Sequence, residues 1–208
     1  KIEDAQARFN LADLTKDGGM DGIGIAGLQR MFEVLGLPDG EVVAIAQAVS
    51  STVPPATTPS AGVNPMPRIK TVLDLQGMKD ISDSTLMQLV PYTTVYPRAN
   101  KEKTSPININ TAPAPVIASI HPVFVGGLAQ AVVSRRERIT NFKDVGDVKL
   151  NFPEIGTAEI EKTPGSFTVR TEYFIATGRI ELGRVDIARQ ALIRRSNNQT
   201  EMIWVRDI

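Results

Sequence analysis

The 208-residue chain has no cysteine and only one histidine, His121. The first absence excludes a disulfide framework and the zinc-ribbon class while leaving the compartment open. With the second it removes the usual zinc sites and Cys/His nucleophile pairs, and a Ser-His-Asp triad would have to use His121 without a G-x-S-x-G elbow. There is no Walker lysine motif. Charge of one sign is not in excess: 23 Lys and Arg face 23 Asp and Glu, so the basic surplus of a general nucleic-acid binder is missing. No apolar run approaches the ~18 residues of a membrane-spanning helix, and Lys1 opens the chain without signal-peptide architecture, as expected of a trimmed fragment. What remains is an ordinary globular composition, 42% apolar and 22% charged, sufficient for one elaborated domain or two modest ones.

Along the chain, Ile2, Ala5, Phe9 and Ala12 recur at three- and four-residue spacing, which predicts an amphipathic helix over Lys1 to Leu14 whose start is cut. Thr15 to Gly24 holds four glycines and reads as a loop, since each Gly costs ~1 kcal/mol relative to Ala in a helix. Leu28, Met31, Phe32 and Leu35 restore the helical stripe, Gly36 suits a C-cap, and Pro38 can open a helix carrying Val42, Ile45, Ala46 and Val49. Ser50 to Pro67 is rich in Pro, Ser and Thr and reads as an exposed loop. Short helices are expected at Val72 to Gly77, Ser82 to Val90, Ala112 to Ile120 and Gly127 to Arg138, with a short strand at Tyr92 to Tyr96. Val72 to Gly77 is echoed by Phe142 to Gly146, although two pieces do not establish a repeat. At the end, Phe167, Val169, Tyr173 and Ile175 alternate with polar residues, apart from Phe174. Val185 to Ile193 and Met202 to Val205 follow, a three-stranded antiparallel meander with one apolar face to cover.

Four motifs invite a chemical reading. Gly22-Ile23-Gly24-Ile25-Ala26-Gly27 has dinucleotide-binding spacing but follows a polar, glycine-rich stretch instead of a buried strand. Asp13, Asp17 and Asp21 offer hard oxygens to a calcium ion, yet no bidentate Glu follows at EF-hand distance, and solvated turn carboxylates are the competing account. His121 fits a loop at a helix end. Ile107-Asn108-Ile109-Asn110-Thr111-Ala112-Pro113 can cap a helix that tolerates Pro113 in its first turn. It also resembles the opening of a helix-hairpin-helix module, in which backbone donors meet DNA phosphate and Arg135, Arg136 and Arg138 would assist. The Gly-Ile-Gly hairpin of that module is lacking.

Taken together, Asp4-Ala5-Gln6-Ala7-Arg8-Phe9-Asn10-Leu11, the Ile107 to Pro113 string with its helices, and Tyr173-Phe174 resemble the K-type minor pseudopilins of bacterial type II secretion systems. The resemblance implies an α+β, pilin-like fold. An N-terminal helix (residues 1–24 with the following loop) packs on a three-stranded antiparallel sheet (163–208), and a large α-helical domain (25–162) is inserted between them. It implies a non-enzymatic subunit that forms or caps the pseudopilus tip in the export of folded proteins, with I- and J-type minor pseudopilins as partners and an H-type subunit and secreted substrates as further ones. An absent upstream helix would anchor the precursor in the inner membrane of a Gram-negative bacterium, leaving these residues in the periplasm. The expected partner-binding residues are Ile2, Ala5, Arg8, Phe9 and Ala12. No cofactor is expected; calcium is the one ion left open, and because Ser50 to Pro67 replaces an acidic, Trp-containing stretch of the family, no metal ligand is carried over. The alternative is a helix-hairpin-helix DNA-binding protein using residues 107–138.

Overall fold

The computed structural model describes residues 1–54, 66–99, 102–139, 141–157, 167–183, 185–196 and 199–208. Positions 55–65 of the expected Pro-rich loop, Asn197 and Asn198, and the expected domain junction at 162/163 lie outside the described residues.

Lys1 to Leu14 do not form the expected helix. They run as β1 (Ile2–Asp4), a 3-10 turn (Ala5–Ala7), β2 (Phe9–Asn10) and a second 3-10 turn (Leu11–Leu14). Asp4 Oδ1 accepts the Gln6 N–H at 2.8 Å and Asn10 Oδ1 the Ala12 N–H at 3.2 Å. Each side chain thus closes a single turn in competition with a continuous helix. The chain then makes a hairpin, β3 (Thr15–Lys16) and β4 (Gly19–Met20), through Asp17 and Gly18 at positive φ. Asp21 caps α1 (Gly22–Leu35) by accepting the Ile23 N–H at 3.0 Å. This helix begins inside the glycine-rich stretch expected to be a loop, because the glycine there is a packing device: a Cβ on Gly24 would stand 1.9 Å from the Asp13 carbonyl oxygen.

Gly36 ends α1 in the left-handed region, and α2 (Gly40–Ser51) follows. A 3-10 turn (Val72–Leu75), α3 (Asp83–Leu89) with its Ser82 cap, and β5 (Thr93–Thr94) complete a first helical half. The second half runs through β6 (Ile107–Asn108), α4 (Ala114–Ala118), a 3-10 turn (Pro122–Phe124), α5 (Leu128–Ile139), α6 (Val145–Asn151), α7 (Pro153–Thr157) and β7 (Phe167–Thr168). The halves share a plan. Each is closed by a two-residue parallel pair, β2 with β5 and β6 with β7. The echoed segments occupy matching positions: the Lys70 N–H donates to Asp74 Oδ2 ahead of the 3-10 turn, and the Lys143 N–H donates to Asp147 Oδ2 ahead of α6. One continuous core, including Phe9, Leu28, Phe32, Ile45, Leu86, Ile117 and Phe124, joins both halves.

β8 (Tyr173–Leu182), β9 (Val185–Ser196) and β10 (Gln199–Asp207) form the expected meander, but the sheet has four strands in the order β1-β8-β9-β10. β1 takes the edge that a covering helix was expected to leave free, pairing antiparallel so that Asp4 lies opposite Phe174. The helical unit is therefore an insertion between two neighbouring strands, and it starts far before residue 25. Its neck is tied by Gln6, whose Nε2 donates to the Pro106 carbonyl at 3.0 Å while its Oε1 accepts the Glu172 N–H at 2.6 Å.

Candidate functional site

Side chains alternate across a strand, and the register between β8 and β9 sorts them into two faces. The inner face carries Tyr173, Ile175 and Leu192, which with Ala5 and Tyr96 form a second buried cluster beneath Ile203 and Trp204. Tyr96, from the helical unit, stacks on Tyr173 with centroids 4.5 Å apart. Trp204 Nε1 donates to the Val95 carbonyl at 3.4 Å and Lys70 Nζ to the Val205 carbonyl at 2.8 Å. This face is occupied.

The outer face is open and mostly apolar, interrupted by the exposed Arg189–Asp207 ion pair opposite Gly178. Ile2 on β1, Phe174, Ala176 and Ile180 on β8, Ile187, Ala191 and Ile193 on β9, and Met202 and Val205 on β10 share it. Ile2 is 74% exposed, Ile180 67% and Met202 64%. Ala176 lies directly opposite Ala191, with Gly178 next along β8. Small residues at the middle and larger ones at the margins make a shallow trough, and apolar patches of this kind mark surfaces that meet another apolar body.

Asp13, Asp17 and Asp21 do not converge on a vacant centre. Asp17 is exposed in the β3–β4 turn, while Asp13 and Asp21 are buried around Arg98. Arg98 Nη1 is 2.7 Å from Asp21 Oδ2, and Arg98 Nε is 3.7 Å from Asp13 Oδ1. Asp13 also accepts the Ser105 N–H and hydroxyl, both at 2.9 Å. Burial nevertheless pushes its carboxyl up to about 7, against the opposing pull of Arg98 and the Ser105 bonds. Asp13 and Asp21 thus meet a guanidinium, and Asp17 does not join them.

The other motifs are spent on packing. Gly24 and Gly27 of the dinucleotide-like string lie in α1, where a Cβ on Gly27 would crowd the Ser119 carbonyl oxygen at 3.1 Å and the Phe9 ring at 3.2 Å. His121 Nδ1 accepts the Val123 N–H at 3.1 Å, and burial with the neighbouring Arg30 charge lowers its pKa. Asn110 Nδ2 donates to the Phe142 and Val169 carbonyls, and its Oδ1 accepts the Phe142 N–H. Arg136 Nη1 donates to the carbonyls of Ile109 at 2.8 Å and Ala112 at 2.6 Å, and Arg135 Nε donates to Asn151. Two of the three arginines expected at a phosphate thus hold the protein's own oxygens.

Residues 107–170, the second helical half, match the family model described as type II secretion system (T2SS), protein K. Over its whole length the chain is 23% identical to the type II secretion system protein K of Pseudomonas aeruginosa. In sequence the chain is thus similar to type II secretion system protein K. It spans 64% of the length of that curated relative. Its fold is similar to a chain in the crystal structure of the GspK-GspI-GspJ complex from the enterotoxigenic Escherichia coli type 2 secretion system. There the TM-score is 0.68 at 16% identity, covering all of this chain and 78% of the other. No helix among the described residues is long and apolar enough to cross a membrane.

The five expected partner-binding residues fall in different places. Ile2 alone lies on the open face; Ala5 is buried beneath the sheet, and Phe9 and Ala12 are buried in the helical unit. Arg8 is largely covered and pairs with Glu3 at 3.1 Å. Their common stripe required a helix, and without one they diverge. The open face of the sheet had one sequence signal: Phe174 breaks the polar alternation of its strand, so apolar residues stand on both sides.

Proposed function

We propose that this chain is the globular part of a K-type minor pseudopilin, a structural subunit of type II secretion that assembles with I- and J-type pseudopilins. The observation that carries the reading is the open apolar face of the sheet. Its opposite face is taken by the helical unit, so the outer face is the side on which an apolar helix can complete a pilin-like layer. The occupant is a helix from the N-terminal part of the longer protein, in keeping with the greater length of the curated relative. That helix anchors the precursor in the inner membrane and brings the sheet against neighbouring subunits, with the globular part in the periplasm. Each large apolar side chain fully covered contributes about 1.5–3 kcal/mol. The helical unit, hung between β1 and β8, broadens the subunit on its other side and blocks stacking of a further subunit above it, which restricts it to the tip.

Ala191→Asp in the longer protein places a charge in the trough while leaving the inner face intact. The expected result is unchanged melting of the present 208-residue chain carrying the same substitution, with loss of co-purification with I- and J-type partners and loss of secretion. Normal assembly and secretion with a charged trough would overturn the proposal.

A further inference from the structure

Arg98 lies between the two helical halves with its side chain 1% exposed. Oxygens from three segments meet it. Nη1 donates to the Thr15 carbonyl at 2.9 Å and is 2.7 Å from Asp21 Oδ2; Nε donates to the Lys103 carbonyl at 2.9 Å and is 3.7 Å from Asp13 Oδ1. Ser105 closes the arrangement by bonding both oxygens of Asp13, and Lys16 pairs with Glu102 at 2.7 Å on the exposed side.

Two carboxylates and two main-chain carbonyls are the oxygen set a calcium ion takes. Two of these groups belong to the Asp13, Asp17, Asp21 series whose spacing suggests that ion. A guanidinium stands among them instead, with a planar fork of directed donors that stays charged at any ordinary pH. A divalent cation in the same space would face a buried like charge. We infer that Arg98 is the resident cation of this oxygen cage. It does by side-chain bonding what a metal ion would do, fastening the β3–β4 hairpin, the start of α1 and the connection between the halves. This part of the fold therefore needs no calcium, and the cage accepts calcium only when Arg98 is gone.

The test is thermal unfolding of the whole chain in excess EGTA and in millimolar CaCl2, for the unaltered protein and for Arg98→Ser. The unaltered protein melts at the same temperature in both. Arg98→Ser, which strands two buried carboxylates, melts on the order of 10 °C lower in EGTA and recovers part of the loss in CaCl2. A fall in the melting temperature of the unaltered protein on chelation would overturn the inference, as would an Arg98→Ser variant that melts normally or gains nothing from calcium. Should that variant not fold, the side-chain Nε–H resonance of Arg98 in the unaltered protein decides. Slow exchange with water supports the cage, and exchange as fast as that of exposed arginines refutes it.

Discussion

Gly24→Ala separates local propensity from tertiary packing, because the two give opposite signs. Gly24 lies inside α1, and Ala is favoured over Gly in a helix interior by about 1 kcal/mol. On that ground alone the variant gains stability. In the fold, the added Cβ meets the Asp13 carbonyl oxygen at 1.9 Å and its carbon at 2.5 Å, against an ordinary contact of 3.4 Å or more. Both atoms are backbone, and the 3-10 turn they belong to is held by Asn10 and by the buried Asp13 contacts, so no flexible side chain can yield. Overpacking of this kind costs about 1–3 kcal/mol and occasionally more. With the rigid neighbour, the upper end applies, and after the helix-propensity gain the net loss is about 2 kcal/mol, or roughly 4–8 °C in Tm for a chain of this size. Gly40→Ala is the control: it opens α2, and a Cβ added there would meet nothing within 4 Å, so a gain of about 0.4–1 kcal/mol is expected. Urea unfolding followed by the fluorescence of Trp204, the only tryptophan, measures both. A Gly24→Ala protein as stable as the parent would refute the close approach of α1 to the Asp13 backbone.

The remaining predictions use the same assay. Asn10→Ala leaves the buried Tyr96 N–H and carbonyl without the partners they have at 3.1 and 2.9 Å and should cost about 2–4 kcal/mol; a loss below about 1 kcal/mol would mean the strand pair β2–β5 does not depend on it. Arg136→Met, which strips the Ile109 and Ala112 carbonyls of a charged donor, is expected to cost about 2–3 kcal/mol, whereas exposed Arg138→Met should stay within about 0.5 kcal/mol. Asp13 has a folded pKa of about 7, above its ordinary 3.8. Its contribution is therefore fully present below pH ~4 and is lost as pH rises through about 7. The unaltered protein should lose stability relative to Asp13→Asn across that window, and parallel pH profiles for the two would contradict the burial that raises the group.

Much of the helical unit is legible from local signals that tertiary structure does not oppose. Ser82 before α3, Gly36 after α1 and the Lys70 and Lys143 segments are caps whose chemistry is complete within a few residues. The first fourteen residues mislead because their apolar spacing has the helical period while their hydrogen bonding does not. Asp4 and Asn10 each close one turn, and the strands between them are fixed by partners far along the chain: Phe174 opposite Asp4, and Thr93 opposite Phe9. No local pattern reveals such pairing. The Thr15 to Gly24 stretch misleads for the converse reason. Its glycines read as helix breakers, yet Gly24 is needed where α1 passes against the Asp13 backbone, a contact that exists only in the folded chain. Arg98 is invisible as a site residue because nothing in its own neighbourhood points to Asp13 or Asp21.

The two faces of the sheet explain why the candidate interface lies where it does. The inner face is committed by aromatic stacking of Tyr96 on Tyr173 and by the Trp204 and Lys70 bonds to the first half and its flank. Gln6 and Asp4 tie the neck on both sides, with Asn108 donating to Asp4 Oδ2 at 2.7 Å. A helical unit attached at one strand end alone would swing; attached through neighbouring strands and pressed on the inner face, it is held to one side. The outer face is thereby kept clear by construction. On the proposed reading, the Ala176 and Ala191 pair at its centre would let a helix approach closely between the larger Phe174, Ile180, Ile187 and Ile193. Bulk on one side and an open apolar trough on the other are two consequences of a single insertion point between Asp4 and Tyr173.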